Sequence, residues 1–330
     1  MLKLDFKLTA CSLALAVLAI SLFSVLLPPS EDFQQSNPYW NGLQTLFKVA
    51  NATALDVTVE KVAPENSVLF LIGPSLNVTR ARVEALKAYV SGGGTLVLMD
   101  EAGAINAVLS SLELGVSVDG RFMLDALFYH RSWKMPKVVE VKGGELTSGV
   151  ESIVLNLPSI LSVNAPSSNL RVLAYSSRFS FLDLNGDGKP SPEEPMGPFI
   201  LAVEGAYGRG RVIVFSDSSP FLNSVIGLGD NLQLLKNIVK GKAAFVDVGA
   251  WQVSPQLAYR NAVLGLYKVL STPEIRYSLA LVTLTAIYAL TRREKYALKA
   301  DEVYEVLKRH PGWDRRLLIA LREAREKVGG

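Results

Sequence analysis

The chain has 330 residues, 49% hydrophobic and 20% charged, with 34 Lys/Arg against 31 Asp/Glu. A net charge of +3 spread along the chain, with no basic stripe interleaved with aromatics, leaves no footprint for nucleic acid. Cys11 is the only cysteine and lies in an apolar run, so no disulfide, thiol nucleophile or zinc–cysteine site is open to the rest.

Residues 1–7 form a short arm carrying Lys3, Asp5 and Lys7, and Leu8 to Leu27 is a run of twenty residues without a charge, closed by Pro28-Pro29. About 20 helical residues span the ~30 Å hydrocarbon core of a bilayer, so residues 8–28 are expected as a transmembrane helix. A cleaved signal would have a shorter apolar core and a small-residue cleavage site, and the run into Leu-Leu-Pro-Pro-Ser favours an uncleaved anchor.

Residues 29–250 are expected to form one α/β domain. Ser36-Asn37-Pro38-Tyr39 reads as a turn, Gly42 to Val49 as a short helix, and Asp56 to Val59 as a strand. Ser67 to Ile72 and Thr95 to Met99 are continuous apolar runs of the buried parallel-strand kind. Helical spacing over Thr79 to Val90 and Ala104 to Leu112 completes strand–helix–strand–helix, the pattern of a parallel sheet with crossovers. Gly92-Gly93-Gly94 lies between a helix and the next strand and reads as a left-handed helix stop. A phosphate loop would lie between a strand and the next helix.

Leu124 to Ser168 has no regular period. Leu173 to Phe181 and Pro198 to Val203 alternate as strands. Gly208-Arg209-Gly210 turns into a strand over Arg211 to Phe215, followed by a helix over Asn231 to Val239 and a strand over Ala243 to Val248. Between the two alternating runs, Asp183, Asn185, Asp187, the Lys189 carbonyl and Glu194 fit positions one, three, five, seven and twelve of a calcium loop, with Gly188 at the sharp turn. Ser191 falls where a water-mediated ligand sits. The flanks are not helical and Pro190 and Pro192 depart from an ordinary EF-hand. The expectation is a calcium clip between strands, with a metal-free Asp/Asn/Gly turn as the alternative.

Asp100-Glu101 and Asp217 come after buried strands, at the carboxyl edge where open α/β sheets take ligands. They can hold a ligand or a metal, or cap the next helix, as Asp commonly does; Asp230-Asn231 carries the same two readings. His130, in the aromatic and basic stretch Phe128 to Lys134, is the only histidine before the tail and has no Gly-x-Ser-x-Gly elbow to serve, which favours a surface role. Asn51 and Asn77 stand in glycosylation sequons.

Residues 251–274 are expected as a juxtamembrane helix, 275–291 as a second span, and 292–330 as a cytoplasmic helical tail. The apolar stretch Tyr277 to Thr291 is short, about 22 Å at 1.5 Å per residue, and a buried helix is the alternative. The tail from Arg292 holds 11 Lys/Arg against 7 Asp/Glu, whereas the region between the runs is slightly acidic. That asymmetry favours two spans in a plasma membrane, with both termini cytoplasmic and the main domain outside. The tail divides at His310-Pro311-Gly312 into two short amphipathic helices, over Asp301 to Arg309 and after Asp314. Both are too small to form a core alone, so they lie on the membrane or dock on a partner.

Four segments carry a resemblance: Ser36-Asn37-Pro38-Tyr39-Trp40-Asn41-Gly42; Leu71-Ile72-Gly73-Pro74 with Tyr89-Val90-Ser91-Gly92-Gly93; Leu146-Thr147-Ser148-Gly149-Val150; and Gly208-Arg209-Gly210-Arg211-Val212 leading to Ser216-Asp217-Ser218 and Asp230-Asn231. In these the chain resembles a membrane-anchored family of the DUF4350 type, related to class I glutamine amidotransferases. It is also similar to the auxiliary component of gliding-type ABC transporters. The resemblance implies a flavodoxin-like three-layer sandwich with a parallel central sheet. It also implies a non-catalytic role in a membrane assembly, sometimes with an ATPase. The nucleophilic cysteine of true amidotransferases is missing, so glutamine hydrolysis does not carry over. The leading expectation is an accessory or binding protein that holds a ligand or partner outside and docks a cytoplasmic component. Two rivals are a metal-assisted hydrolase using Asp100, Glu101 and Asp217, and a calcium-stabilised, glycan-facing module with Trp40, Tyr129 and Trp133 around one groove.

Overall fold

The computed structural model describes residues 6–55, 59, 62–75, 78–164 and 170–328, with backbone alone for 6–8 and 293–301. It divides into two compact units, Met1–Arg260 and Asn261–Gly330.

The first unit opens with α1 (Phe6–Leu26), α2 (Gln44–Ala50), β1 (Thr53–Leu55), β2 (Ser67–Ile72), α3 (Arg80–Ser91), β3 (Thr95–Met99) and α4 (Asn106–Ser111). Short strands come next: β4 (Val116–Val118), β5 (Met123–Asp125), β6 (Lys137–Val138), β7 (Glu140–Val141), β8 (Ile153–Val154) and β9 (Leu161–Val163). It continues with β10 (Leu170–Tyr175), β11 (Ser180–Leu182), β12 (Ile200–Tyr207), β13 (Gly210–Phe215), α5 (Asn231–Val239), β14 (Ala243–Asp247) and the start of α6 (Pro255–Leu270).

The central sheet has eight strands in the order β1-β14-β2-β3-β13-β12-β10-β7. Every residue of β2 and β3 is buried, as their unbroken apolar runs require when helices cover both faces. One core packs Val68, Phe70, Ile72, Val97 and Met99 under α2 and α5. The other packs Leu69, Leu71, Leu96 and Leu98 under α3 and α4. Thr79 caps α3 by accepting a bond from the Arg82 amide at 3.3 Å, and the left-handed turn after it falls at Gly93, φ +111°. Gly92 itself stays right-handed at φ −72°.

The sheet is mixed, which corrects the expectation of a parallel one. β1, β14, β2, β3 and β13 run parallel, but β12 pairs antiparallel with β13, β10 with β12, and β7 with β10. The cause is local. Tyr207 pairs with Gly210, so Gly208 (φ +57°) and Arg209 form a two-residue turn, and a connection that short can only return antiparallel. Residues 56–58 of the strand expected over 56–59 lie outside the described residues, and β1 falls just before them. Three two-stranded ribbons, β5 with β11, β4 with β9 and β6 with β8, account for the stretch without a regular period.

The second unit holds most of α6, then α7 (Pro273–Arg309) and α8 (Arg315–Val328). The helix expected over 301–309 is no separate element: α7 runs unbroken from the apolar stretch into it, because no Gly or Pro lies between Thr291 and Arg309. Among the described residues one helical stretch, Thr9–Leu26 in α1, is long and apolar enough to cross a membrane, with mean hydropathy 2.3. The second span expected at 275–291 lies in α7, which falls short of that mark.

Candidate functional site

The carboxyl ends of β3 and β13 bring Asp100, Glu101 and Asp217 to one sheet edge, as their positions after buried strands require. Their oxygens are turned to backbone amides. Asp100 is buried, and Oδ1 and Oδ2 accept from the amides of Ala102 and Ile105, each at 3.1 Å, which holds the turn into α4. Burial pushes its carboxyl above the usual range. Glu101 Oε2 accepts from the Ser218 amide at 3.0 Å and so ties the two strand ends together. Asp217 is fully buried. Its Oδ2 accepts from the Asn156 amide at 2.8 Å and the Ser219 hydroxyl at 2.7 Å, and its Oδ1 from the Ser219 amide at 2.8 Å. Burial, with the Glu101 charge adding to it, pushes Asp217 up to about 7. No helix starts directly after Asp217 to be capped; the next, α5, begins at Asn231. Among the described residues no three His, Cys, Asp or Glu side chains gather as a metal cluster.

Side chains in and beside the segments that carried the resemblance hold the backbone of neighbouring loops. Asn231 Oδ1 accepts from the Val154 amide at 3.0 Å, and its Nδ2 donates to the Val154 carbonyl at 2.8 Å. Asp230 Oδ2 accepts from the amides of Glu151 and Ser152, so it serves this loop and leaves α5 without a side-chain cap. Asn237 Nδ2 donates to the carbonyls of Leu146 and Ser148. A strap after α1 is held in the same way: Asn223 Nδ2 donates to the carbonyls of Asn37 and Tyr39, and buried Asn37 donates to Asn41 Oδ1. Gly42 is obligatory there, since a Cβ would lie 2.0 Å from the Asn37 carbonyl oxygen. Phe33 stacks on Trp251 with centroids 5.9 Å apart, and Trp251 Nε1 donates to the Ile72 carbonyl at the end of β2 at 2.7 Å. What stays open at this edge is a cavity of about 210 Å³ lined by Trp40, Glu101, Phe122, Asn156, Ser218 and Ser219. That is below the ~300–1,000 Å³ of drug-sized ligand sites.

The calcium-type loop lies between β11 and a short extended segment, with Phe181 bridged to Met196 and the Leu182 amide donating to the Pro195 carbonyl. Asp183 accepts from the amides of Gly186 and Gly188, Asn185 from Asp187, and Asp187 from Lys189. Glu194 closes the loop, accepting from the Leu184 amide at 2.9 Å and the Ser191 amide at 3.0 Å. Gly186 and Gly188 take φ +75° and +70°, conformations open to glycine. The loop carries carboxylates at the first, fifth and twelfth positions of the calcium pattern, turned to its own amides and not gathered as a metal cluster. Trp133 packs edge-on against Phe181 at 6.4 Å, and with Tyr129 it lines a 360 Å³ cavity that reaches Gly188. Trp40 lines the other cavity, so the expected three-aromatic groove does not form.

His130 is exposed, and Asn51, left-handed at φ 47°, is exposed at the end of α2; Asn77 lies outside the described residues. Two acids went unread in the sequence. Asp247, fully buried at the carboxyl end of β14, takes a bidentate bond from Arg82 at 2.7 and 2.6 Å, a partner 165 residues away. Asp125 Oδ1 accepts from the amides of Leu127 and Phe128 and its Oδ2 from the Ser177 hydroxyl, which anchors the aromatic loop. Only its place at the end of a strand hinted at this.

Fold and edge together define a mixed α/β domain whose polar side chains at the carboxyl edge serve its own loops. The chain belongs to the family described as Domain of unknown function (DUF4350), which matches residues 35–239. No curated protein matches it by sequence. Among solved structures, it is similar to the mmIFT52 N-terminal domain, with 17% identity, TM-score 0.44, and coverage of 56% of this chain and 82% of that one. A ThuA-like protein from Bacteroides uniformis has 18% identity and TM-score 0.37, covering 60% and 81%. Cytoplasmic Protein STM1381 from Salmonella typhimurium has 18% identity and TM-score 0.39, covering 61% and 86%. Similarity at this level carries nothing about activity.

Proposed function

We propose that the chain is a membrane-tethered, non-catalytic binding module with a flavodoxin-like, glutamine-amidotransferase-like domain, whose tail docks a cytoplasmic ATPase or transporter component. In this reading α1 is the anchor, residues 275–291 are a second span with local bilayer thinning and snorkelling Arg276 and Arg292 making up the length, and the domain is extracytoplasmic. The observation that carries the non-catalytic part is the use of Asp100, Glu101 and Asp217 as backbone acceptors at the strand ends. A general base must reach a substrate proton at hydrogen-bond distance, and both oxygens of Asp100 and of Asp217 and Oε2 of Glu101 are taken up by the loops. Docking by the tail is supported by α8, where Leu317 and Leu321 are exposed on a helix with no buried residue. Calcium belongs to the proposal as a clip: Asp183, Asn185, Asp187, the Lys189 carbonyl and Glu194 would hold it, drawing the loop ends together without a reaction.

The test is mass spectrometry of what co-purifies with the full-length protein, extracted in mild detergent from its own membrane. The expected result is a stoichiometric ATPase or permease that is lost when residues 293–330 are deleted. Recovery of the protein alone at native expression sinks the docking role.

A further inference from the structure

Opposite the carboxyl edge, the amino ends of β2, β3, β13 and β14 frame a cavity of about 550 Å³. Its charged lining is Arg171, Arg209, Arg211 and Lys242 against a single carboxylate, Glu204. Two guanidiniums meet on that carboxylate: Oε2 accepts from Arg171 Nη2 at 2.6 Å and Oε1 from Arg211 Nη1 at 3.2 Å. Each fork is thereby oriented, with further N–H donors left over. At the rim, Arg209 Nη2 donates to the Gly92 carbonyl at 3.1 Å, and Arg209 and Arg211 reach the exposed Glu65 and Glu145 only at 3.8 and 3.6 Å, weak surface contacts. Lys242 donates one long bond, 3.4 Å to the Ile238 carbonyl, and has no carboxylate within ion-pair distance among the described residues. Partial burial, and the Arg211 charge after it, push its ammonium below the usual lysine value. The protein therefore gathers more positive charge here than it neutralises, in a volume suited to a small ligand.

We propose that this cavity binds a small phosphate-bearing anion, with Arg171 and Arg211 as oriented donors and Lys242 and Arg209 closing on its charge. A phosphate meets several cations at once with three acceptor oxygens and up to two charges, whereas a monocarboxylate leaves most of them unmatched. The inference stands apart from the tethering and docking reading, since it concerns the other edge of the sheet.

Isothermal titration of the full-length protein in neutral detergent micelles with inorganic pyrophosphate tests it, with acetate as control. The expected result is saturable binding that weakens with added salt, about tenfold weaker in Lys242→Gln, weaker also in Arg209→Gln, and undetectable for acetate. Arg209 is largely exposed, so that variant keeps its fold, and circular dichroism checks both. Glycerol phosphate binding tighter than pyrophosphate identifies a lipid- or polyol-type headgroup as the source, and the reverse a free phosphate compound. Absence of saturable pyrophosphate binding at millimolar concentration, or affinity unchanged when Lys242→Gln and Arg209→Gln are combined, overturns the proposal.

Discussion

Asp217 is the residue whose chemistry is most at odds with its surroundings. A carboxylate with no solvent contact is held by three hydrogen bonds, yet burial and the Glu101 charge still raise it to about 7. In the unfolded chain it titrates near 3.8. Between those values the folded state keeps a proton that the unfolded state has lost, so stability falls as pH rises through the window. Denaturant titrations between about pH 4 and 8 should show the wild type losing up to about 1.4 kcal/mol per pH unit more than Asp217→Asn. Buried Asp100, raised in the same direction, leaves a smaller slope in the variant. Equal slopes in the two proteins would mean that Asp217 stays ionised throughout. At this scale the carboxyl-edge acids were legible from position alone, since each comes after a buried apolar run. Their partners were not. The Asn156 amide is 61 residues from Asp217, and no local period encodes that pairing.

Among the elements, the loop between β11 and β12 makes the sharpest claim. Ligand spacing placed a glycine at the turn, and Gly188 has φ +70° there. Glu194 reaches back to the Leu184 amide, so the loop is already closed end to end. A ligand that binds only the folded form stabilises it by about 1.4 kcal/mol at tenfold its dissociation constant. Several millimolar calcium should therefore raise the Tm of the wild-type protein, while magnesium, which demands a tighter octahedral shell, should do so less. Glu194→Gln should lose the calcium increment, and a Tm indifferent to calcium in the wild type would identify the loop as a metal-free turn. The β12–β13 hairpin shows the opposite kind of legibility. Gly208-Arg209 holds the signal for an antiparallel return, whereas the local pattern from the turn through β13 into α5 is that of one more α/β unit. The strand before the turn had to be paired across it for the direction to show.

For the whole molecule, no residue of Thr9–Leu26 in α1 is buried, while the rest of the first unit closes around two cores, one on each face of the sheet. The strap from Phe33 to Gly42 is bound to the domain by Asn223 and Trp251, so the domain needs the strap more than the helix before it. Removing residues 1–27 should leave the protein in carbonate-washed membranes, held by the second span in α7. A product released to the supernatant places the attachment in α1 alone. The expected fold was right where burial is two-sided: the runs Ser67 to Ile72 and Thr95 to Met99 are β2 and β3 to the residue.

Local pattern settles what a few adjacent side chains settle. Continuous apolar runs make buried strands, a twenty-residue uncharged run makes α1, and fixed spacing of Asp, Asn, Gly and Glu makes the closed turn over Asp183 to Glu194. Strand direction on the far side of the sheet, the Arg82–Asp247 pair, the use of the edge carboxylates by loop amides and the cationic cavity at the amino edge all join residues distant in sequence. They depend on how the chain crosses between strands, and hydrophobic periodicity says which faces are buried without saying which strands become neighbours.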